Sequence, residues 1–347
     1  MDYFHVARYR FYIQAGERGL DLPAFKGSSL RGVMGRELRS IACFQHQLEC
    51  EQCSLRINCP YYYIFETSAG EQMGIAGQYK EVPRPYVIEP PIDDKEHFLP
   101  GEQTSFDLLL FGRAVEYLPY FLLAFERGSS WGLGAGRKPY NLLRVEAIND
   151  LNGKHAMVYE GDEKVIYNHN LSWTGREVMQ LAASFNQPAM IEISFITATQ
   201  LKVDRQKIIR LEDINFTGLM RSLLRRYSTL SVHHHNQTPT ESFQELLDTA
   251  DKITVEYCRG DTRAWSRYSM RSKTRTNMVG FLGTIRFSGE LEAFLPYLIL
   301  GQSIHVGKWT AFGMGQYRLY VDGQACSSVE DGVNKEGYRL GSDRYSR

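Results

Sequence analysis

Phe106-Asp107-Leu108-Leu109-Leu110-Phe111-Gly112, followed by Leu118-Pro119-Tyr120, has a counterpart 177 positions later, where an apolar run reaches Gly289 and then Leu295-Pro296-Tyr297. The match needs no gap. Gly112 falls on Gly289, Leu123 on Leu300, Gly136 on Gly313, Tyr140 on Tyr317 and Leu142 on Leu319. Each copy reads as a short apolar strand ending at a glycine, an apolar helix through Leu-Pro-Tyr, a glycine-rich loop, and a last strand starting near the matched tyrosine. A shared tripeptide with its flanking glycine and tyrosine marks a duplication, and self-similarity of this kind decides architecture.

Each copy is preceded by another strand and helix. Residues 6–13 alternate as a strand, and Ser28 or Ser29 can cap a helix over 30–42. In the second copy 190–195 reads as the strand and 216–230 as the helix. Two βαβ halves predict a ferredoxin-like unit, a four-stranded antiparallel sheet with two helices on one face and the other face free. The expected fold class is therefore α+β, with two tandem ferredoxin-like domains over residues 1–148 and 185–322. Residues 149–184, polar and carrying Gly153, Gly161 and Gly175, are expected to be a linker, and the polar 323–347 a tail or linker.

At 347 residues the chain has room for two cores. Forty basic residues against forty acidic ones leave a formal net charge of zero, so no global field draws in polyanions, and nucleic-acid binding must rest on local patches. No apolar run approaches the roughly 20 residues that span a bilayer. The opening Met1-Asp2-Tyr3-Phe4-His5 lacks the layout of a secretion signal. A cytoplasmic location, where thiols stay reduced, is expected.

The two glycine loops are Gly128-Ser-Ser-Trp-Gly-Leu-Gly-Ala-Gly136-Arg137-Lys138 and Gly301-Gln-Ser-Ile-His305-Val-Gly307-Lys308-Trp-Thr-Ala-Phe-Gly313-Met-Gly315. Successive bare amides can cradle phosphate oxygens, and both loops carry cations. Neither follows the P-loop pattern. Arg137, Lys138, Gly307, Gly313 and Gly315 are candidate RNA contacts. So are Lys26 and Arg31, at the start of the first helix where its dipole favours a phosphate. Residues 259–275 hold six cations against one acid, Asp261. Arg267, Arg271, Lys273 and Arg275 in that stretch would show a basic edge to a backbone, with Trp265 beside them. Arg221, Arg225 and Arg226 form a second patch beside His233-His234-His235.

Four of the six cysteines follow the pattern Cys43-x6-Cys50-x2-Cys53-x5-Cys59. A CxxC flanked by two more cysteines, in a reduced compartment, reads as a closed tetrahedral site for structural zinc, with no open position for catalysis. His46 lies inside the cluster.

Three stretches resemble the CRISPR-associated Cas-six endoribonucleases. They are Leu22-Pro-Ala-Phe-Lys26-Gly27-Ser-Ser-Leu-Arg31-Gly32 with the cysteine run and Phe65-Glu66, then Gly280-Phe-Leu-Gly283…Phe287-Ser-Gly289, and the loop from His305 to Gly315. The resemblance runs from about Tyr3 to Val321. It implies membership of the RAMP superfamily and CRISPR repeat RNA, or precursor CRISPR RNA, as partner. It also implies metal-independent cleavage, in which a ribose 2′-hydroxyl attacks phosphorus to leave a cyclic phosphate and a 5′-hydroxyl. Some members are fused to a reverse transcriptase and integrase, and CRISPR effector or adaptation proteins are further expected partners. Such chemistry needs a base, an acid and cations. Histidine suits the proton steps. His305, three residues from Lys308 in the loop, is the first candidate. His46 is the second, in a region that holds a catalytic histidine in some relatives. Lys308 is a candidate charge stabiliser. The alternatives are a RAMP-type scaffold that binds CRISPR RNA without cutting it, and a zinc-bearing adaptor with no RNA role.

Overall fold

The alternation over residues 6–13 becomes the centre of the first sheet in the computed structural model, which describes residues 1–67, 82–203, 206–269 and 274–328. The first half lays out β1 (His5–Ala15), β2 (Leu20–Asp21), α1 (Gly27–Ala42), β3 (Tyr86–Glu89), β4 (His97–Phe98) and β5 (Gln103–Phe111). There follow α2 (Leu118–Trp131), β6 (Tyr140–Ile148), β7 (His155–Glu160), β8 (Val165–Ile166) and β9 (Trp173–Thr174). The main sheet runs β3-β5-β1-β6-β7-β8, and β9 pairs with the start of β1. Its neighbours are antiparallel. Because strand side chains alternate, Ala7, Tyr9, Phe11, Ile13 and Ala15 share one face and pack with Leu30, Met34 and Leu38 of α1 and Phe121 and Phe125 of α2. Val6, Arg8, Arg10 and Tyr12 occupy the other face.

The second half begins with α3 (Gly175–Ala183) and continues β10 (Met190–Thr199), β11 (Leu201–Val203), β12 (Gln206–Ile208), α4 (Phe216–His235) and α5 (Phe243–Ala250). It closes with β13 (Thr254–Ser269), β14 (Thr274–Ser288), α6 (Leu295–Ile304), β15 (Tyr317–Val321) and β16 (Gln324–Ala325). The sheet order is β13-β14-β10-β15-β16. β13 and β14 pair from Thr254↔Ser288 to Ser269↔Thr274, but β10 matches β14 only between Ser288 and Phe281. The remainder of β13 and β14 is a two-stranded arm that leaves the sheet.

The two halves repeat one plan, strand–helix–strand–strand–helix–strand, with the first strand lying between the third and fourth. The matched tyrosines do the same work in each. Tyr140 donates its hydroxyl to the Phe125 carbonyl and Tyr317 to the Leu298 carbonyl, both at 2.7 Å. A helix glycine makes room each time: a Cβ on Gly128 would stand 3.0 Å from the Tyr140 hydroxyl, and one on Gly301 would stand 2.0 Å from that of Tyr317.

Four expectations change. Residues 149–184 are not a bare linker but carry β7, β8, β9 and α3, with Trp173 and Val178 buried in the second half's core. The face of the first sheet away from its helices is not wholly free, since Val6, Val87, Leu109 and Phe111 join that same core. Burial of large apolar side chains across the join is the reason, at about 1.5–3 kcal/mol each. Neither Ser28 nor Ser29 caps α1, whose N-cap is Lys26, and the Ser28 hydroxyl is buried without a partner. Of the expected tail, β16 and the buried Cys326 belong to the second half, and residues 329–347 lie outside the described residues. Among the described residues no helix is long and apolar enough to cross a membrane.

Candidate nucleic-acid interface

The second glycine loop leaves α6 at His305 and returns to β15 at Tyr317. Its neck is closed by the Val306 amide donating to the Gly315 carbonyl at 3.0 Å. Gly315 has φ +75°, and a Cβ there would fall 1.8 Å from the Val306 carbonyl oxygen, so only glycine closes this neck. The loop tip reaches the first half. A Cβ on Gly27, the first residue of α1, would stand 2.0 Å from the Phe312 carbonyl oxygen. Lys308 is half-buried on this loop, its amide bonded to the Gln200 carbonyl at 3.0 Å. Trp309 adopts φ +59°, a left-handed conformation uncommon for a bulky residue.

Around this contact aromatic rings gather from three elements. Phe25 before α1, Trp265 of the arm and Trp309 of the loop pack on Ala198, Met278 and Met314. The Phe25 and Trp265 ring centroids are 5.4 Å apart. Arg31 of α1 extends its guanidinium between Phe65 and Phe312, 4.1 and 4.7 Å from the two centroids, and donates from Nε to the Tyr86 hydroxyl at 2.9 Å. Lys26 does not face an incoming phosphate. It is 1% exposed, and its Nζ is bonded to the carbonyls of Ala24 and Asp93 and to Asp93 Oδ1 at 2.7 Å.

The first glycine loop builds a separate exposed site. Trp131, at the end of α2, has the Arg36 guanidinium 2.9 Å and the Arg137 guanidinium 4.1 Å from its ring centroid. Arg137 itself sits at φ +49° and is exposed. Lys138 is held by Asp21 at 2.6 Å, which takes part of its charge. Paired guanidiniums and an indole suit stacking and phosphate contact together.

Of the arm residues, Arg271 and Lys273 lie outside the described residues, and the structure describes Arg267 and Arg275 only as backbone of β13 and β14. His46 is exposed, and its carbonyl accepts from Arg39 Nη2 at 3.0 Å. Cys43, Cys50, Cys53 and Cys59 are free and half-buried. Short turns hold the cysteine loop, with the amides of Cys53 and Cys59 bonded to the carbonyls of Cys50 and Arg56. Burial, then the nearby Glu66 charge, pushes the Cys50 thiol up to about 11. Among the described residues no three His, Cys, Asp or Glu side chains stand together as a metal-ligand set. Two of the three histidines at the end of α4, His234 and His235, serve the join between halves. His234 bonds the Pro83 carbonyl at 2.8 Å and His235 accepts from the His5 amide at 3.0 Å.

His305 differs most from its expected role. It is 0% exposed, with Nε2 2.8 Å from Glu89 Oε1 and Nδ1 3.0 Å from the Met314 carbonyl oxygen. No ring nitrogen is open to a substrate. Behind it lies a buried ionic cluster with no sequence motif of its own. Arg8 donates to Glu89 at 2.5 Å, Asp107 at 2.7 Å and Asp150 at 2.9 Å, while Arg10 holds Asp107 and Ser303 holds Asp150. Burial works to raise the Glu89 carboxyl, but Arg8 and His305 outweigh it and hold it down to about 2. For Asp150 burial wins over Arg8 and the carboxyl is raised. The signal that finds this cluster is the placement of Arg8 and Arg10 on the non-helical side of β1, opposite the acids of β3 and β5.

Residues 4–171 match the AF_1859_N family model, described as an N-terminal domain, and residues 193–317 match the model of the CRISPR-associated endoribonuclease Cas6. No curated protein sequence matches the chain. Among solved structures, a Cas6 (TTHB231) product complex is similar at 15% identity and a TM-score of 0.52, over 90% of this chain and all of that one. The fold also resembles a chain of a partial Cas6-RT-Cas1–Cas2 complex at 11% identity and a TM-score of 0.53, over 92% of this chain but 46% of the other. The Cas6 model thus spans the arm, α6 and the glycine loop just described, and over those residues the chain matches the CRISPR-associated Cas6 endoribonuclease family.

Proposed function

We propose that the chain binds CRISPR repeat RNA and cuts precursor CRISPR RNA without a metal ion, using two tandem ferredoxin-like (RAMP-type) domains. The observation that carries this reading is the seating of the glycine loop, with Lys308, against the start of α1, inside the segment that matches the Cas6 model. A strand entering there meets the Lys308 ammonium and the aromatic group of Phe25, Trp265 and Trp309. In the reaction the 2′-oxygen bonds to the adjacent phosphorus as its proton passes to a base. The phosphorus–5′-oxygen bond breaks as that oxygen takes a proton. Lys308 stabilises the charge that develops on the phosphoryl oxygens, while His46, the exposed candidate base, follows the far end of α1, about 24 Å along the helix from Gly27. Arg137 beside Trp131, and the arm with Arg267, Arg271, Lys273 and Arg275, are proposed to hold the RNA outside the cut.

The scaffold reading has one observation in its favour, the burial of the glycine-loop histidine with both nitrogens engaged. A labelled repeat hairpin in EDTA, beside one with deoxyribose 5′ of the cut, separates the two. Cleavage of the first alone establishes 2′-hydroxyl attack, and binding without cleavage establishes the scaffold. H46A and K308A then test the named groups.

Two further proposals stand beside this one. The likeness to a chain more than twice as long suggests a fusion context with a reverse transcriptase and Cas1. The spacing of Cys43, Cys50, Cys53 and Cys59 suggests structural zinc, which requires the four thiols to close on the ion. Metal analysis finding no zinc, with four titratable thiols, removes it.

A further inference from the structure

We propose that His305 is held as an imidazolium between the Glu89 carboxylate and the Met314 carbonyl, and that this ring is a positioning residue that registers the second glycine loop on the first half of the chain. Three observations carry it. The first is hydrogen-bond polarity. The Met314 carbonyl at 3.0 Å can only accept, and Glu89, which also takes two Arg8 donors at 2.5 and 3.3 Å, accepts as a carboxylate. Both ring nitrogens must then carry a proton.

The second is charge. The groups facing His305 or its partners are Arg8 and Arg10 from β1, Glu89 from β3, Asp107 from β5, Asp150 after β6, and the neutral Ser303 from α6. A protonated His305 sets a cation against the Glu89 carboxylate inside this group. A buried charge that is paired avoids the cost of an uncompensated one.

The third is the backbone. His305 has φ +61° and ψ 170°, a region close to glycine-only that persists only where the surroundings over-determine it. Its two ring bonds supply that constraint. One ties residue 305 to residue 314 across the loop neck, parallel to the Val306–Gly315 backbone bond. The other ties the neck to β3, whose Ile88 carbonyl oxygen would lie 2.5 Å from a Cβ on Gly313. The loop that presents Lys308 is thereby fixed to the other half.

This role for the loop rests on the RNA-cutting reading, so the test includes readouts that need no RNA. In protein carrying ¹⁵N-labelled histidine at neutral pH, with the His305 signals assigned by their loss in H305A, both ring nitrogens are expected in the protonated range. In E89Q the amide can donate to Nε2, so one protonated nitrogen, Nδ1, is expected. A neutral His305 ring in the unmodified protein, or no change in E89Q, overturns the proposal. Amide exchange over residues 306–315 should quicken by roughly tenfold or more in H305A, the loss of about one hydrogen bond, and stay near the unmodified rate in E89Q. Unchanged exchange in H305A also overturns it. If the protein cuts repeat RNA, H305A should lower kcat by roughly tenfold to a hundredfold through loop misplacement, with E89Q retaining most of it. Equal kcat in all three refutes the positioning role, whereas a protein that cuts no repeat RNA refutes the function and leaves the histidine signals to decide the clamp.

Discussion

Replacing Arg8 by methionine tests the buried join between the halves, and the structure sets the size and pH dependence of the effect. Arg8 is 7% exposed at its side chain and bonds three carboxylates. After R8M, Asp107 keeps Arg10 at 2.7 Å and Glu89 keeps His305 at 2.8 Å, but of the partners named above Asp150 keeps only the Ser303 hydroxyl at 3.1 Å. One buried carboxylate is thus stranded. Removing one partner of a buried ion pair costs about 3–5 kcal/mol, a large part of the roughly 5–15 kcal/mol that holds a folded protein. Adding D150N should recover about half of the loss, because the stranded charge goes with it.

The sign with pH follows from the carboxyls. In the unmodified protein Glu89 is lowered from its ordinary 4.5 to about 2, so the stability it adds is complete above about 4.5 and lost as pH falls toward 2. Without Arg8, burial dominates and raises the carboxyls, which makes the penalty largest at neutral pH and smaller as they protonate. Urea unfolding of both proteins at pH 7 and pH 4 measures this. A cost under about 1 kcal/mol at pH 7, or one just as large at pH 4, refutes the reasoning.

Three further outcomes follow from named contacts. Gly27→Ala, which at an ordinary helix position would add about 0.5–1 kcal/mol, should instead destabilise by about 1–3 kcal/mol, because its Cβ meets the Phe312 carbonyl; thermal unfolding reads the sign. Arg31→Lys keeps the charge but loses the donor to Tyr86 and the placement between Phe65 and Phe312, at about 1–2 kcal/mol by the same assay. Arg137→Ala should weaken repeat RNA binding evenly across sequences and reduce the salt dependence of affinity by about one phosphate contact, measured by fluorescence anisotropy over a salt series. An unchanged slope would remove Arg137 from the interface.

Much of the architecture was legible because it is written in short-range pattern. The alternation in β1, the apolar helices through Leu-Pro-Tyr and the matched tyrosines all depend on neighbours within a few turns of chain, and all are found where the repeat put them. β3 was missed, although its four residues Tyr86–Glu89 are all buried. A four-residue run without flanking periodicity carries too little signal. The arm was half seen: the basic stretch suited a strand or a helix, and only pairing with β14 decided for the strand. The polar stretch after β6 looked like a linker because exposed elements with few apolar positions resemble loops.

Site residues divide along the same physical line. By itself the sequence determined the duplication and the α+β character with antiparallel sheets, since these follow from local periodicity. Whether a polar side chain is free to act depends on what distant segments bring to it, and only the tertiary structure decided that. His305 and Glu89 are 216 positions apart, Lys26 and Asp93 are 67 apart, and Arg8 and Asp150 are 142 apart. In each pair the partner turns a candidate catalytic or RNA-binding group, or an unremarked arginine, into part of the packed interior. Burial makes that pairing obligatory, because a charge taken out of water must find its partner inside the fold.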